Sequence, residues 1–392
     1  MIGNSTAEYI FVITSAAILH SIGPASFLFS ILYPFLPQSW ENSVPRKVKY
    51  WLFTEAVFFV LTYIYIRWHV QNPAEHPAPM SRQEREKLFQ RCLDTTGDHE
   101  EYYSKWFFGQ NFHAIRRENI KEFFRYAFLY TDLSDPEHNE ELDMPHALIG
   151  ARQSASENLS YWYQPHTSPN ELPILFLHGI GVGLFPYMGF LTEINRGRDE
   201  KKDGKIGILA VEILPISSRV TTAMFRKDDL CDQLRGILHR HGFDRFVVMG
   251  HSYGTVISTH LLKTPDLASR ISSVILVDPI SILLNQPDVA YNFTARPPKS
   301  AVEWFFWYYG SRDIGVAHTL FRTFFWSENI LWKEDILNHR CIVFLGEKDS
   351  IVNAPKVLAY LREEGYVDGR KVAAAVVDGH MLENGIDGLE SD

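Results

Sequence analysis

Six short apolar runs, separated by helical patterns or turns, dominate this 392-residue chain from about residue 158 onward. They are "LPILFL" (172–177), "KIGILAVEI" (205–213), "RFVVM" (245–249), "SSVILV" (272–277), "CIVFL" (341–345) and "KVAAAVV" (371–377). Stretches with helical spacing near 225–240, 253–263 and 354–364 lie between them. Strands that are apolar on both faces need cover on both sides. The pattern therefore predicts a mostly parallel sheet flanked by helices. In such sheets ligands bind at the carboxyl ends of the strands, so the residues just after each run are the ones to inspect.

After the run at 245–249 comes Gly250-His251-Ser252-Tyr253-Gly254. A serine in G-x-S-x-G between a strand and a helix sits on a sharp turn that lifts its hydroxyl above the sheet. The following helix points its positive end at the same place, and the Tyr253 N–H can face a developing oxyanion. After 172–177 comes "HGIGVG", His178 to Gly183, where a second oxyanion donor is expected. Ile180 N–H is the candidate, and His178 is expected to hold the loop rather than act as base. A phosphate-cradling loop is the rival, but "GIGVGL" lacks the GKS/T and G-x-G-x-x-G patterns.

A serine hydroxyl needs a base, and the base needs an orienting acid. Asp349 lies in "GEKDSIV" after 341–345, and His380 lies in "DGHM" after 371–377. The order Ser252, Asp349, His380 is the one expected of a triad on this strand pattern. Asp278 in "VDPI" is the rival acid, with turn capping as its alternative role. His260, His318 and His339 fall within helical or lid patterns and read as structural.

Together these motifs resemble the α/β-hydrolase superfamily, in the branch with a GHSxG elbow and an HG-type oxyanion loop. The resemblance covers about 158–392 and implies an α/β-hydrolase fold: a mostly parallel sheet, flanking helices and an aromatic-rich helical cap at about 280–338. It also implies a serine hydrolase that acylates Ser252 and hydrolyses the acyl-enzyme with water activated by His380. Serine, not aspartate, at the nucleophile position speaks against dehalogenases and epoxide hydrolases. Only "MLENGIDGLESD" follows His380, so little sequence remains for the usual final helix.

The N-terminal region, 1–71, carries "YIFVITSAAILHSIGPASFLFSILYPFL" (9–36) and "YWLFTEAVFFVLTYIYI" (50–66). A membrane-spanning helix needs about 20 apolar residues. One or two transmembrane helices are expected, with a kink at Gly23-Pro24 in the first. Buried core helices are the alternative. A cleaved signal peptide would need a basic start and a shorter apolar run. Residues 72–157 read as a Pro-rich linker, "NPAEHPAPMS", and a helical region opened by the capping box "SRQE" at 81–84.

The expected cap contains "EWFFWYYG" (303–310) and "TLFRTFFWSENILW" (319–332), too apolar for ordinary exposed loops. Plain cap–core packing is one reading. An apolar acyl pocket with a membrane-facing entrance is the other, favouring a lipophilic ester or thioester over a small polar one. The net charge of −9 argues against nucleic acid as a partner. Three scattered cysteines, Cys92, Cys231 and Cys341, make a disulfide framework or zinc site improbable and fit a cytosol-facing domain on an endomembrane. No cofactor or metal is expected. Acyl transfer on the same triad, or a non-catalytic scaffold or receptor, are the alternative functions.

Overall fold

The structure, a computed structural model, describes residues 3–37, 43–111, 159–362 and 373–377, apart from positions 4, 75, 78, 79, 97, 220 and 222, together with 114, 115, 119 and 123. His380 lies outside the described residues. The chain divides into two compact units, one made of residues 1–75 and 297–322, the other of 76–296 and 323–392.

The second unit is built on a seven-stranded sheet in the order β1-β3-β2-β4-β5-β6-β7. Its strands are β1 Ser160–Gln164, β2 Ile174–Leu177, β3 Ile208–Glu212, β4 Phe246–His251, β5 Ile271–Val277, β6 Arg340–Gly346 and β7 Ala373–Val377. All pairings are parallel except β1 with β3. Each of the six apolar runs forms a strand. The central ones are the most deeply shielded: Leu175, Leu177, Leu209, Val211, Val248 and Val274 are fully buried. Each such side chain contributes about 1.5–3 kcal/mol by leaving water.

The helices that separate the runs are α5 Lys227–Arg240, α6 Gly254–Leu262 and α7 Ala354–Arg362. Before the sheet come α3 Arg82–Asp94 and α4 His99–Trp106. The capping box at 81–84 forms: Ser81 N–H donates to Glu84 Oε2 at 2.9 Å and Glu84 N–H to Ser81 Oγ at 3.4 Å. These two helices pack in the sheet unit. Cys92 joins a buried cluster with Leu284, Ile330 and Trp332, and Tyr102 Oη donates to the Asn285 carbonyl.

The first unit is a helical hairpin, α1 Thr6–Leu32 and α2 Arg46–Tyr65, with residues 297–322 packed on it. Phe29 and Tyr33 meet Phe53, while Phe27 meets Phe59, so the helices run antiparallel. A methyl on Gly23 would sit 2.6 Å from Phe59 Cδ2, so the missing side chain makes room for that ring. The expected kink leaves no break: α1 runs through Pro24 as one helix.

Both helical segments, Thr6–Phe35 and Arg46–Val70, are long and apolar enough to cross a membrane. Many of their apolar side chains face outward. Ile10, Phe11, Val57, Phe58 and Leu61 are each more than half exposed, unlike the residues of a core helix. Residues 297–322, within the expected cap, belong to this unit. The Ala301–Phe305 helix packs against α1, Tyr309 Oη lies 3.3 Å from Ser15 Oγ, and the His318 ring stacks on His69.

Candidate active site

Ser252 occupies the turn between β4 and α6 with φ = +51°, a left-handed conformation that costs a residue bearing a Cβ about 1–3 kcal/mol. Its N–H donates to the Val277 carbonyl at 2.9 Å, which ties the turn to the end of β5. The glycines on either side are required by close approach. A methyl on Gly250 would lie 2.5 Å from Ser258 Oγ, and one on Gly254 would overlap the Leu177 carbonyl oxygen. The motif therefore works as a packed elbow, with α6 pressed onto β2 and the serine half-exposed at the top.

The loop after β2 lies directly against this elbow. A methyl on Gly179 would be 2.9 Å from Ser252 Cβ. Gly179 N–H donates to Tyr187 Oη at 3.2 Å, and Gly181 N–H to the Ile216 carbonyl at 3.0 Å. Between them, the Ile180 N–H has no acceptor among the described residues, and neither has the Tyr253 N–H. Both are N–H groups that the sequence marks as candidate oxyanion donors. The Tyr253 ring is buried, and that burial pushes its phenol well above the usual range.

His178 is fully buried and holds the loop. Its Nε2 accepts the Ile213 N–H at 2.8 Å, so its proton resides on Nδ1, which donates to the Gly179 carbonyl at 2.6 Å. Burial lowers its pKa and keeps it neutral. The other histidines expected to be structural have partners too. His260 Nε2 lies 2.7 Å from Asn329 Oδ1, and His339 Nδ1 lies 3.2 Å from the Ile271 carbonyl.

Asp349 follows β6 in a turn closed by its own N–H on the Gly346 carbonyl. Its Oδ1 accepts the N–H groups of Ile351 and Val352 at 2.6 and 2.7 Å. Its Oδ2 has no hydrogen bond among the described residues. Asp278, just past β5 with φ = +44°, does more than cap a turn. Its Oδ1 accepts the Gly346 N–H at 2.6 Å, and its Oδ2 lies 3.9 Å from His251 Nε2. Burial raises the Asp278 pKa, the Gly346 bond opposes the rise, and the negative charge of Asp349 adds to it. The structure thus brings Ser252, Tyr253, Ile180, Asp278 and Asp349 to the carboxyl edge of one sheet. His380, three positions beyond β7 in sequence, is not among the described residues.

The sequence motif did not single out His251 or Tyr187 as working residues. His251 Nδ1 lies 2.7 Å from Tyr187 Oη. Burial lowers the His251 pKa, Asp349 opposes that effect, and His178 reinforces it. Tyr187 comes from the short helical turn Phe185–Tyr187, where no sequence motif marks it. Among the described residues, no group of three His, Cys, Asp or Glu side chains could hold a metal ion.

The chain has the α/β-hydrolase fold, and residues 215–327 match the family model described as alpha/beta hydrolase fold. Solved structures similar to it include a carboxylesterase of the ammonia-oxidizing thaumarchaeon Nitrososphaera gargenis. That likeness has 14% identity, covers 58% of this chain and 89% of the other, and has a TM-score of 0.36. The 2-hydroxy-6-oxo-6-phenylhexa-2,4-dienoate hydrolase of Rhodococcus sp. strain RHA1 is similar at 15% identity, with 57% and 87% covered and a TM-score of 0.36. A probable hydrolytic enzyme of Pseudomonas aeruginosa PAO1 is similar at 16%, with 56% and 81% covered and a TM-score of 0.38. No curated protein sequence matches the chain significantly.

Proposed function

We propose that this protein is a membrane-anchored serine hydrolase that cleaves an ester or thioester of a lipophilic substrate through an acyl-Ser252 intermediate. One observation carries the reading. Ser252 is held in a left-handed turn between a strand and a helix, beside two N–H groups that have no acceptor among the described residues. Such strain persists where surrounding packing over-determines it, and it clusters at active sites. The family match supports a hydrolase.

In the proposed reaction, Ser252 Oγ attacks the carbonyl carbon and its proton passes to His380. The electron pair of the carbonyl moves onto its oxygen, where Ile180 N–H and Tyr253 N–H stabilise the negative charge. Collapse re-forms the carbonyl and expels the alcohol or thiol, which takes the proton from His380. Water then repeats the sequence on the acyl-enzyme, with His380 as its base. Asp349 is the acid that orients His380: one of its oxygens is fixed by two backbone N–H groups, leaving the other for the imidazole. Asp278 has one oxygen on Gly346 and the other facing His251, which leaves it less suited to that task.

The substrate class rests on the first unit. The insertion between β5 and β6, where a cap sits in this fold, sends residues 297–322 to pack with two outward-facing apolar helices. A lipophilic acyl ester held in or at a membrane fits that partnership. The cysteines, Cys92, Cys231 and Cys341, are all free and buried, in keeping with a reducing, cytosolic side of an endomembrane.

The test is hydrolysis of a panel of p-nitrophenyl esters of increasing acyl length by the full-length chain in detergent. Ser252→Ala and His380→Ala are expected to lower kcat by roughly 10⁴-fold or more, and Asp349→Asn by roughly 10³–10⁴-fold. Asp278→Asn is expected to cost far less. Retained hydrolysis in Ser252→Ala would sink the reading, and a larger loss at Asp278 than at Asp349 would reassign the acid.

A further inference from the structure

Four strand ends are linked by one chain of polar contacts beside Ser252. Gly179, after β2, donates its N–H to Tyr187 Oη at 3.2 Å. The same oxygen lies 2.7 Å from Nδ1 of His251, the last residue of β4. His251 Nε2 lies 3.9 Å from Oδ2 of Asp278, after β5. Asp278 Oδ1 accepts the N–H of Gly346, the last residue of β6, at 2.6 Å.

Proton placement along this chain follows from its two ends. The Tyr187 oxygen accepts from Gly179, so its own hydrogen is available to the lone pair on Nδ1. His251 then keeps its proton on Nε2, facing the carboxylate. The groups around the imidazole are Tyr187, Asp278, Asp349 and His178. The Tyr187 ring is itself fixed: its centroid lies 5.0 Å from Phe176 and 5.6 Å from His251, and it packs on the buried cluster of Phe176, Leu184, Leu191, Ile208 and Ala210.

We infer that Tyr187 is a positioning residue for the oxyanion hole, its hydroxyl bridging the Gly179 N–H and the His251 imidazole so that the Ile180 N–H is held at a fixed place relative to Ser252. The inference rests on the hydrolase reading. The loop and the elbow leave the neighbouring strands β2 and β4, and beyond the end of that ladder short contacts set one against the other. Gly179 supplies the close approach, and His178 holds the carbonyl side of the same peptide segment. Tyr187 holds the N–H side, one residue from the proposed donor. A misplaced donor weakens transition-state binding more than ground-state binding, because the charge it meets develops only in the transition state.

The test compares wild type with Tyr187→Phe, which keeps the ring and removes only the oxygen. The full-length chain in detergent is assayed with p-nitrophenyl butyrate and with a fluorophosphonate probe. We expect kcat to fall roughly 10-fold or more with KM unchanged. The rate of Ser252 phosphonylation should fall in parallel. Hydrogen exchange should rise in the peptide covering 178–184 but not in the strands. Combining Tyr187→Phe with His251→Asn should cost no more than the larger single effect, because both remove one bridge. Should Tyr187→Phe lower the Tm by more than about 5 °C, His251→Asn removes the same bridge from its other side and is read in the same way.

A kcat within twofold of wild type, a loss confined to KM, or losses that multiply in the double variant would overturn the inference. If wild type itself leaves Ser252 unmodified, the hydrolase reading fails and this inference falls with it. If Ser252 reacts equally fast in wild type and Tyr187→Phe, only the inference fails.

Discussion

The strands of the sheet and the two N-terminal helices are both built from apolar sequence, yet they handle it in opposite ways. Val248 and Leu177 are fully shielded, whereas Val57 and Phe58 are more than half exposed. Hydropathy alone does not separate the two cases. What separates them is the partner: the sheet finds α5, α6 and α7 on its faces, while the hairpin presents most of its surface outward. Helices of 30 and 25 residues are long and apolar enough to cross a bilayer, and the proposed membrane anchor gives that surface an apolar neighbour.

The sharpest way to break this comparison is to place a charge in each region. Val248→Asp puts an unpaired carboxylate in the middle of the sheet and is expected to cost at least about 4 kcal/mol, enough to abolish folded protein. A variant that still melts cooperatively near the wild-type Tm would contradict the buried placement. Val57→Arg, near the middle of the second span, separates the solvents. On a water-exposed helix such a change alters stability by at most about 0.5 kcal/mol. At the centre of a membrane-spanning helix it costs about 3 kcal/mol. The expected result is a clear loss of protein from the carbonate-washed membrane fraction, with the sheet unit's melting unaffected. Unchanged membrane retention would argue that the hairpin does not span.

The smallest expected effect concerns a titrating group inside the sheet unit. Burial pushes His260 down to about 4. In the unfolded chain it accepts a proton below about 6.5, whereas in the folded chain it stays neutral until about 4. Stability from this site is therefore complete above pH 6.5 and is lost as the pH falls toward 4, by about 2 kcal/mol at pH 5. His260→Gln keeps a donor for Asn329 and removes the titration. Its Tm should fall less than that of wild type between pH 7 and 5. Equal slopes would show that His260 contributes no acid sensitivity.

Much of the sheet was legible because strands covered on both faces carry few polar residues to obscure them. The runs at 205–213 and 341–345 became β3 and β6 with their ends shifted by a few residues. β1 was not legible: "SYWYQ" lies antiparallel at the sheet edge, only partly buried, and lacks the continuous apolar character of its neighbours. The elbow was legible because its glycines are dictated by contact, Gly250 against Ser258 and Gly254 against the Leu177 carbonyl. The link through Tyr187 was not, because it depends on a turn nine residues past the loop's start folding back onto the loop. The aromatic insertion was visible as apolar sequence. That residues 297–322 would pack with α1, through contacts such as Tyr309 with Ser15, requires a pairing across 294 positions that no local pattern encodes.

The central claim is that Ser252 is a nucleophile held in a strained turn. Its most direct test is reaction of the full-length chain with a fluorophosphonate, followed by peptide mapping. A single adduct on Ser252, absent when the chain is unfolded before the probe is added and absent in His380→Ala, is the predicted result. A folded chain that carries no adduct there, or carries it on another serine, would contradict the account.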